Sequence, residues 1–166
     1  LHQNVKERET IRVMIGICRA LAYAHKKGFV HRDVTPGNIL FDASGTPVLT
    51  DFGIVKAVSD STKITGTGLS IGTSQYMSPE QADIGSFDID TRSDIYSLGV
   101  LLYNLLVGVL PFESEGLGAR GRAQMLRMIR QEEPTKPSIR LSHMEERAGD
   151  IARKRRTEVP TLTRIL

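Results

Sequence analysis

The strongest constraint on the fold is the run of residues 91–107, which is apolar on nearly every side of a helical wheel. Gly108 and Pro111 follow it as helix-ending residues. A helix that is apolar all round is normally buried. The most apolar part, residues 95–110, is shorter than the ~20 residues of a membrane span and contains the polar Ser97. We therefore predict a central core helix.

A second long helix is predicted at residues 7–27. Its apolar residues recur at spacings of three and four, which is the period of one helical face. They are Ile11, Met14, Ile15, Cys18, Leu21 and Ala22. We expect this face to be buried, with Cys18 as a small core residue and Gly28 as the helix stop.

Shorter patterns complete the outline. Residues 38–41 and 48–50 are apolar runs separated by turn-forming residues, which predicts a small β-hairpin. Residues 59–74 are rich in Ser, Thr and Gly and predict a loop. Residues 121–131 predict an amphipathic helix, whereas the two prolines in 134–142 predict an irregular connection. The expected fold class is mainly α with a small β-hairpin (α+β).

The charge balance is mildly basic, with 22 Lys plus Arg against 19 Asp plus Glu. The excess is concentrated in residues 147–156, within a stretch expected to be helical over 143–156. Because no aromatic residues are interleaved there, the run is typical of a solvated helical face, and no nucleic-acid partner is expected. A single cysteine excludes an intramolecular disulfide framework, and no secretory signal is visible. The expected location is cytoplasmic.

Three short motifs occur in a fixed order along the chain. HRD at residues 31–33 is followed by Asn38, DFG stands at residues 51–53, and GTSQYMSPE stands at residues 72–80. Taken singly, each aspartate is typical of a turn or cap, Asn38 of a cap, and the histidine of a structural side chain. Only the combination favours a functional site.

In this order the motifs resemble those of the eukaryotic-type protein kinase family, in particular its bacterial Ser/Thr members with a GTxxYMSPEQ segment. The resemblance covers residues 1–131, which it identifies as a protein kinase C-terminal lobe with the N-terminal lobe absent. It implies a catalytic loop at 31–38, an activation segment at 51–80 and a central helix at 91–107. Residues 132–166 would be a truncated insertion or tail of that lobe.

The resemblance implies a site for ATP and Mg²⁺. Asp33 matches the catalytic aspartate, which accepts or orients the proton of the substrate hydroxyl. Asn38 and Asp51 match the residues that hold the metal, and their oxygens suit this hard cation. Leu40 matches the apolar floor beneath the adenine. The substrates would be Ser and Thr hydroxyls of proteins, since the AARN ending typical of tyrosine kinases is missing.

Four other residues match family positions that support that site. His31 and Phe52 match a stacked column behind it, and Asp94 matches the residue that anchors the catalytic loop from below. Glu80 matches a glutamate that pairs with an arginine late in the domain. None of the arginines near residue 166 stands in a matching context.

Regulation is implied by five residues. Arg32 and Lys56 match basic residues that face a phosphorylated loop, and Thr65 and Thr67 resemble loop threonines that bacterial relatives autophosphorylate. A phosphate there would form charge-assisted hydrogen bonds with the two basic residues. Thr73 matches the threonine that hydrogen-bonds the catalytic aspartate. The alternative is that the Ser/Thr/Gly loop is only a polar spacer.

Two departures from the family pattern limit the expected activity. Thr35 stands where Ser/Thr kinases usually have a lysine that contacts the γ-phosphate, and a neutral hydroxyl cannot neutralise a phosphate oxygen. Only 32 residues precede Asp33, and the chain has no Gly-rich loop, VAIK lysine or helix-C glutamate. We expect the chain alone to bind Mg·ATP weakly and to show no kinase activity.

The sequence leaves three functional classes open. The first is a Ser/Thr protein kinase, with protein substrates, the missing N-lobe and a second kinase copy as partners, and with any membrane anchor outside this chain. The second is a pseudokinase-like or non-catalytic interaction module presenting helix 121–131, which intact Asp33, Asn38 and Asp51 disfavour. The third is a small-molecule phosphotransferase of the aminoglycoside or choline kinase type, which the SPE segment and the DFG glycine disfavour.

Overall fold

The computed structural model describes residues 3–52, 73–83, 89–113, 119–154 and 157–165. The helices within these ranges are α1 (Gln3–Lys26), α2 (Pro79–Ala82), α3 (Thr91–Val107), α4 (Ala119–Gln131), α5 (Pro137–Ser142), α6 (Glu145–Lys154) and α7 (Val159–Ile165). Strands β1 (Ile39–Phe41) and β2 (Pro47–Leu49) pair antiparallel, with Ile39 opposite Leu49. The predicted fold class, mainly α with a small hairpin, is confirmed.

Helix α3 has the predicted bounds because its ends are capped. The side chain of Asp90 accepts a hydrogen bond from the backbone N–H of Arg92 at the start. Gly108 ends the helix with a φ of 79°, a left-handed conformation that glycine adopts without a Cβ clash. No described helix is long and apolar enough to cross a membrane.

One face of α3 is less buried than its sequence predicts. Leu98 and Leu101 lie in the main core with Ile17 and Leu21 of α1. Ile95 and Leu102, which lie two turns apart on one face, are 57% and 37% exposed. The prediction of a central core helix is therefore confirmed, with one exposed face that the all-round apolar pattern did not indicate.

The buried face of α1 is also rotated from the predicted one. Ile17, Leu21 and Ala24 are buried, whereas Ile11 and Ile15 are exposed. Cys18 is exposed as well, so its assignment to the core is wrong. Strand β2 packs against the helix beside Gly16, whose missing side chain allows the ring of Pro47 to approach. Two apolar periods overlap in this sequence, and the hairpin selects between them.

Two smaller cores lie beside the main one. One joins α2 to α4 through Ala82, Phe112, Met125 and Ile129. The other joins α5, α6 and α7 through Leu141, Ala148, Ala152 and Leu162. The predicted irregular connection is wrong where α5 forms, because Pro137 occupies the first turn of that helix, where its missing N–H has no cost.

Candidate active site

The HRD segment is anchored from below by the fully buried Asp94 of α3. Its Oδ2 accepts the backbone N–H of His31 at 2.8 Å, and its Oδ1 accepts that of Arg32 at 2.7 Å. Nε2 of His25, in the last turn of α1, lies 2.7 Å from Oδ2. One carboxylate thus joins α1 and α3 to the candidate catalytic loop.

His31 links this loop to the DFG segment. Its Nε2 donates to the carbonyl oxygen of Thr50 at 2.9 Å, and its Nδ1 accepts the backbone N–H of Asp33 at 3.3 Å. These partners require the hydrogen on Nε2, because a carbonyl oxygen only accepts. The His31 and Phe52 rings lie 4.5 Å apart between centroids. The structure therefore brings together the two residues of the expected stacked column.

Asp33 and Asn38 form one hydrogen-bonded unit. Nδ2 of Asn38 donates to the backbone oxygen of Asp33 at 2.8 Å and to its Oδ2 at 3.2 Å. A 3₁₀ turn beginning at Pro36 brings the two residues together, closed by the N–H of Asn38 donating to the oxygen of Thr35 at 3.1 Å. The five-residue spacing in the sequence is thus converted into direct contact.

Asp51 lies at the same end of the hairpin as Asn38. The N–H and the hydroxyl of Thr50 both donate to the backbone oxygen of Asn38, at 2.9 and 3.2 Å. Asp51 follows with a φ of 57°, in the left-handed region that aspartate tolerates better than most residues, and it is exposed. The backbone oxygen of Asn38 therefore ties this residue to the one before Asp51.

The donor atoms fit a magnesium ion shared with phosphates. Mg²⁺ usually binds one or two protein carboxylates and keeps waters or phosphate oxygens as its other ligands. The NH₂ group of Asn38 donates to Asp33, and within the described ranges its Oδ1 accepts no hydrogen bond. Groups of three or more His, Cys, Asp or Glu suited to a metal do not occur in those ranges. Asn38 and Asp51 therefore suit a magnesium ion completed by ligand oxygens.

The other predicted site residues differ in exposure. Thr35 is only 9% exposed. Leu40 is 56% exposed on β1, and its cross-strand partner Val48 is 43% exposed, so the hairpin presents an apolar face. Arg32 is half-buried with a φ of 65°. Lys56, Thr65 and Thr67 lie outside the described residues, as does the side chain of Thr73.

Glu80 has a partner within the described chain. The hydroxyl of Ser93 donates to Oε1 of Glu80 at 2.5 Å. Partial burial would raise the pKa of Glu80, but hydrogen bonds from Ser93, its own backbone and Ser78, with the charge of Arg92, bring the pKa below its usual value. The carboxylate is therefore held ionised between α2 and α3.

Sequence reasoning did not identify three residues that support this site: His25, Gln81 and Ser93. Gln81 is the most informative, because Nε2 of its side chain donates to the backbone oxygen of Arg32 at 2.7 Å. The S-x-x-Q spacing from Ser78 to Gln81 is the signal of a capping box and could have identified Gln81 as ordered. No local pattern predicts its contact with the HRD segment.

Comparison with known proteins agrees with this geometry. The protein kinase domain family matches residues 1–161. Serine/threonine-protein kinase PknB of Mycobacterium leprae is 47% identical over 105 residues, which are 63% of this chain and 17% of that protein. A probable serine/threonine-protein kinase of Streptomyces coelicolor is 44% identical over 142 residues, 84% of this chain and 20% of that protein.

A probable serine/threonine-protein kinase of Corynebacterium efficiens is 43% identical over 138 residues, 82% of this chain and 20% of that protein. The chain spans about a fifth of the length of these relatives. The family match extends past residue 131, and the division at that residue stays a prediction. The resemblance to the protein kinase family is confirmed, and the chain belongs to that family.

Proposed function

We propose that the protein containing this chain transfers the γ-phosphate of ATP to Ser and Thr hydroxyls of proteins. The observation that carries this proposal is the Asp33–Asn38 unit, with Asn38 Nδ2 3.2 Å from Oδ2 of Asp33. A carboxylate oriented in this way can accept the proton of an attacking hydroxyl. Phosphoryl transfer depends chiefly on positioning and charge neutralisation, which this constellation can supply.

Asn38 and Asp51 would hold Mg²⁺ through Oδ1 and the carboxylate. The ion would neutralise phosphate charge when bound with the nucleotide. Leu40 supplies an apolar surface for the adenine, and its exposure together with that of Val48 agrees with a face covered by another group. An N-lobe of the same kinase is the partner that we propose to close this side, and a second kinase copy is a further candidate partner.

Thr35 takes the place of the lysine that usually contacts the γ-phosphate. We propose that its hydroxyl donates one neutral hydrogen bond there and that phosphate transfer is slower for lack of the positive charge. Thr35 is mostly buried, and its backbone oxygen closes the turn that orients Asn38. The backbone of Thr35 is therefore held by a hydrogen bond, which fixes the point from which its side chain extends.

Regulation is proposed to act through phosphorylation of Thr65 and Thr67. Arg32 and Lys56 would bind the phosphate by charge-assisted hydrogen bonds, and Thr73 would hydrogen-bond Asp33. Replacement of both loop threonines by alanine in the full-length protein should lower its activity. Equal rates for this variant and the wild-type protein would contradict the assignment.

The proposed activity is tested with the full-length protein, Mg²⁺ and ATP labelled at the γ-phosphate. We expect labelled phosphoserine and phosphothreonine in an added protein substrate. The label should appear both with the purified protein and with the cytoplasmic fraction of cells that contain it. Removal of Mg²⁺ or the change Asp51→Asn should abolish transfer, because metal binding loses a carboxylate. A wild-type protein that transfers no label under these conditions would overturn the proposal.

A further inference from the structure

Gln81 connects the end of the SPE segment directly to the catalytic loop. Its Nε2 donates to the backbone oxygen of Arg32 at 2.7 Å, across 49 positions of sequence. Its Oε1 accepts the backbone N–H of Ser78 at 3.1 Å. The two partners fix the orientation of the amide group, because a carbonyl oxygen requires the NH₂ end and an N–H requires the oxygen.

The contacted peptide lies immediately before the candidate catalytic aspartate. Arg32 has a φ of 65°, a conformation that is unfavourable for a residue with a Cβ and persists only when its surroundings hold it. Asp94 holds the N–H of Arg32 at 2.7 Å from one side. Gln81 holds its oxygen from the other side. The backbone N–H and the backbone oxygen of Arg32 are thus both bound by side chains from distant elements.

The contact between the catalytic loop and the SPE segment is not fully packed. A small cavity of about 10 Å³ lies there, lined in part by Arg32, Asp33, Tyr76 and Gln81. Atoms that line a void lose packing contacts on that side. The Gln81–Arg32 hydrogen bond therefore lies beside a gap in the packing between the two segments.

Gln81 has a second, local contact that a test must separate from the first. Ser78 and Gln81 form a capping box at the start of α2, in which the hydroxyl of Ser78 accepts the N–H of Gln81 at 3.4 Å. Glutamate serves at this position of a capping box as well as glutamine does. A glutamate cannot, however, donate to the oxygen of Arg32.

We propose that Gln81 is a positioning residue that sets the orientation of Asp33 by holding the Arg32 carbonyl, and so couples the end of the activation segment to the catalytic loop. This inference rests on the proposed kinase activity.

The test compares Gln81→Glu with Ser78→Ala in the full-length protein. Gln81→Glu keeps the cap but places a carboxylate against the Arg32 oxygen, so we expect kcat to fall about tenfold or more and the melting temperature to fall as well, with the KM for ATP near its wild-type value. Ser78→Ala weakens the cap and leaves the Gln81–Arg32 bond, so we expect a lower melting temperature and a kcat close to wild type.

Hydrogen exchange gives a readout that does not depend on activity. The backbone amides of Arg32 and Asp33 should exchange faster in Gln81→Glu than in wild type and be unchanged in Ser78→Ala. A wild-type kcat and unchanged exchange in Gln81→Glu would overturn the inference while wild-type phosphate transfer upholds the proposed function. If the wild-type protein transfers no phosphate, the function fails, and the exchange rates decide the structural coupling alone.

Discussion

The buried carboxylate of Asp94 accepts the backbone N–H of His31 at 2.8 Å. This bond joins the central helix to the residue whose ring contacts Phe52, so the core and the DFG segment share one support. Because backbone groups donate to Asp94, the contact depends on the acceptor residue and on the loop conformation. Side-chain identity matters at His31, where the imidazole continues the connection to Thr50, and at His25, whose Nε2 lies 2.7 Å from Oδ2 of Asp94.

Replacement of Asp94 by Asn should destabilise the protein. The amide retains one acceptor oxygen but directs an NH₂ group towards backbone N–H donors, so we expect a loss of about 2–3 kcal/mol in the free energy of unfolding. Urea unfolding measures this change. Asp90→Asn is the matched control, because Asn caps a helix as well as Asp does, and its free energy should be nearly unchanged. Equal effects of the two changes would contradict the account.

Two glycine-to-alanine changes should act in opposite directions. A Cβ at Gly16 would overlap the ring of Pro47, so Gly16→Ala should cost about 1–3 kcal/mol by forcing α1 and the hairpin apart. A Cβ at Gly99 meets no atom within 4 Å, and Gly99→Ala should stabilise α3 by up to about 1 kcal/mol. Thermal melting of both variants checks the sign. A stabilising Gly16→Ala would refute the close approach.

Sequence patterns predicted elements well where a local cap or a strong period determined them. Helix α3 begins and ends as expected because Asp90 and Gly108 set its ends through local hydrogen bonds and backbone conformation. The buried face of α1 could not be predicted in this way. Its two apolar periods differ in burial only because β2 and α3 pack against one of them.

In the candidate site too, the sequence indicated the residues that stand in local motifs but not those that depend on distant contacts. The HRD and DFG motifs, with the asparagine five residues after the first aspartate, indicated Asp33, Asn38 and Asp51. The structure places Asn38 in contact with Asp33 and hydrogen-bonded through its backbone oxygen to Thr50, the residue before Asp51. Gln81 and His25 were not identified, because their partners lie 49 and 69 positions away in the sequence. Contacts over such distances leave no local period.

The Glu80–Ser93 bond should make stability depend on pH. The pKa of Glu80 is below its ordinary value of 4.5, so its contribution to stability is present above that pH and is lost as the pH falls through the lowered pKa. Ser93→Ala removes the hydroxyl donor, and the pKa of Glu80 should rise. NMR titration of the carboxyl carbon measures this rise.

The unfolding of wild type and Ser93→Ala gives a second check on this bond. The free energy of unfolding of the wild type should exceed that of Ser93→Ala by its full amount near pH 7. This difference should shrink below pH about 4.5, where the carboxyl group becomes protonated. Ser44→Ala beside the exposed Asp42 is a suitable comparison, since Ser44 also lowers the pKa of its aspartate. An advantage that grows at acid pH would contradict the assigned bond.

Thr35→Val tests the proposed role of the threonine hydroxyl. Valine keeps the shape of threonine and removes its donor, so we expect kcat to fall about fivefold, the amount that one neutral hydrogen bond of about 1 kcal/mol represents. The KM for ATP should change little if the bond forms mainly in the transition state. A kcat equal to that of wild type would show that the hydroxyl does not contact the transferred phosphate.

The most direct test of the account compares Asp33→Ala with Asp42→Ala in the full-length protein under single-turnover conditions. Asp42 is an exposed hairpin aspartate whose carboxylate binds Ser44 and Thr46, so its loss should leave phosphate transfer unchanged. Asp33→Ala should lower transfer from Mg·ATP to a Ser/Thr protein substrate by about 100-fold or more, because it removes the proposed base. Transfer by Asp33→Ala at the rate of Asp42→Ala would contradict the assignment of the catalytic site.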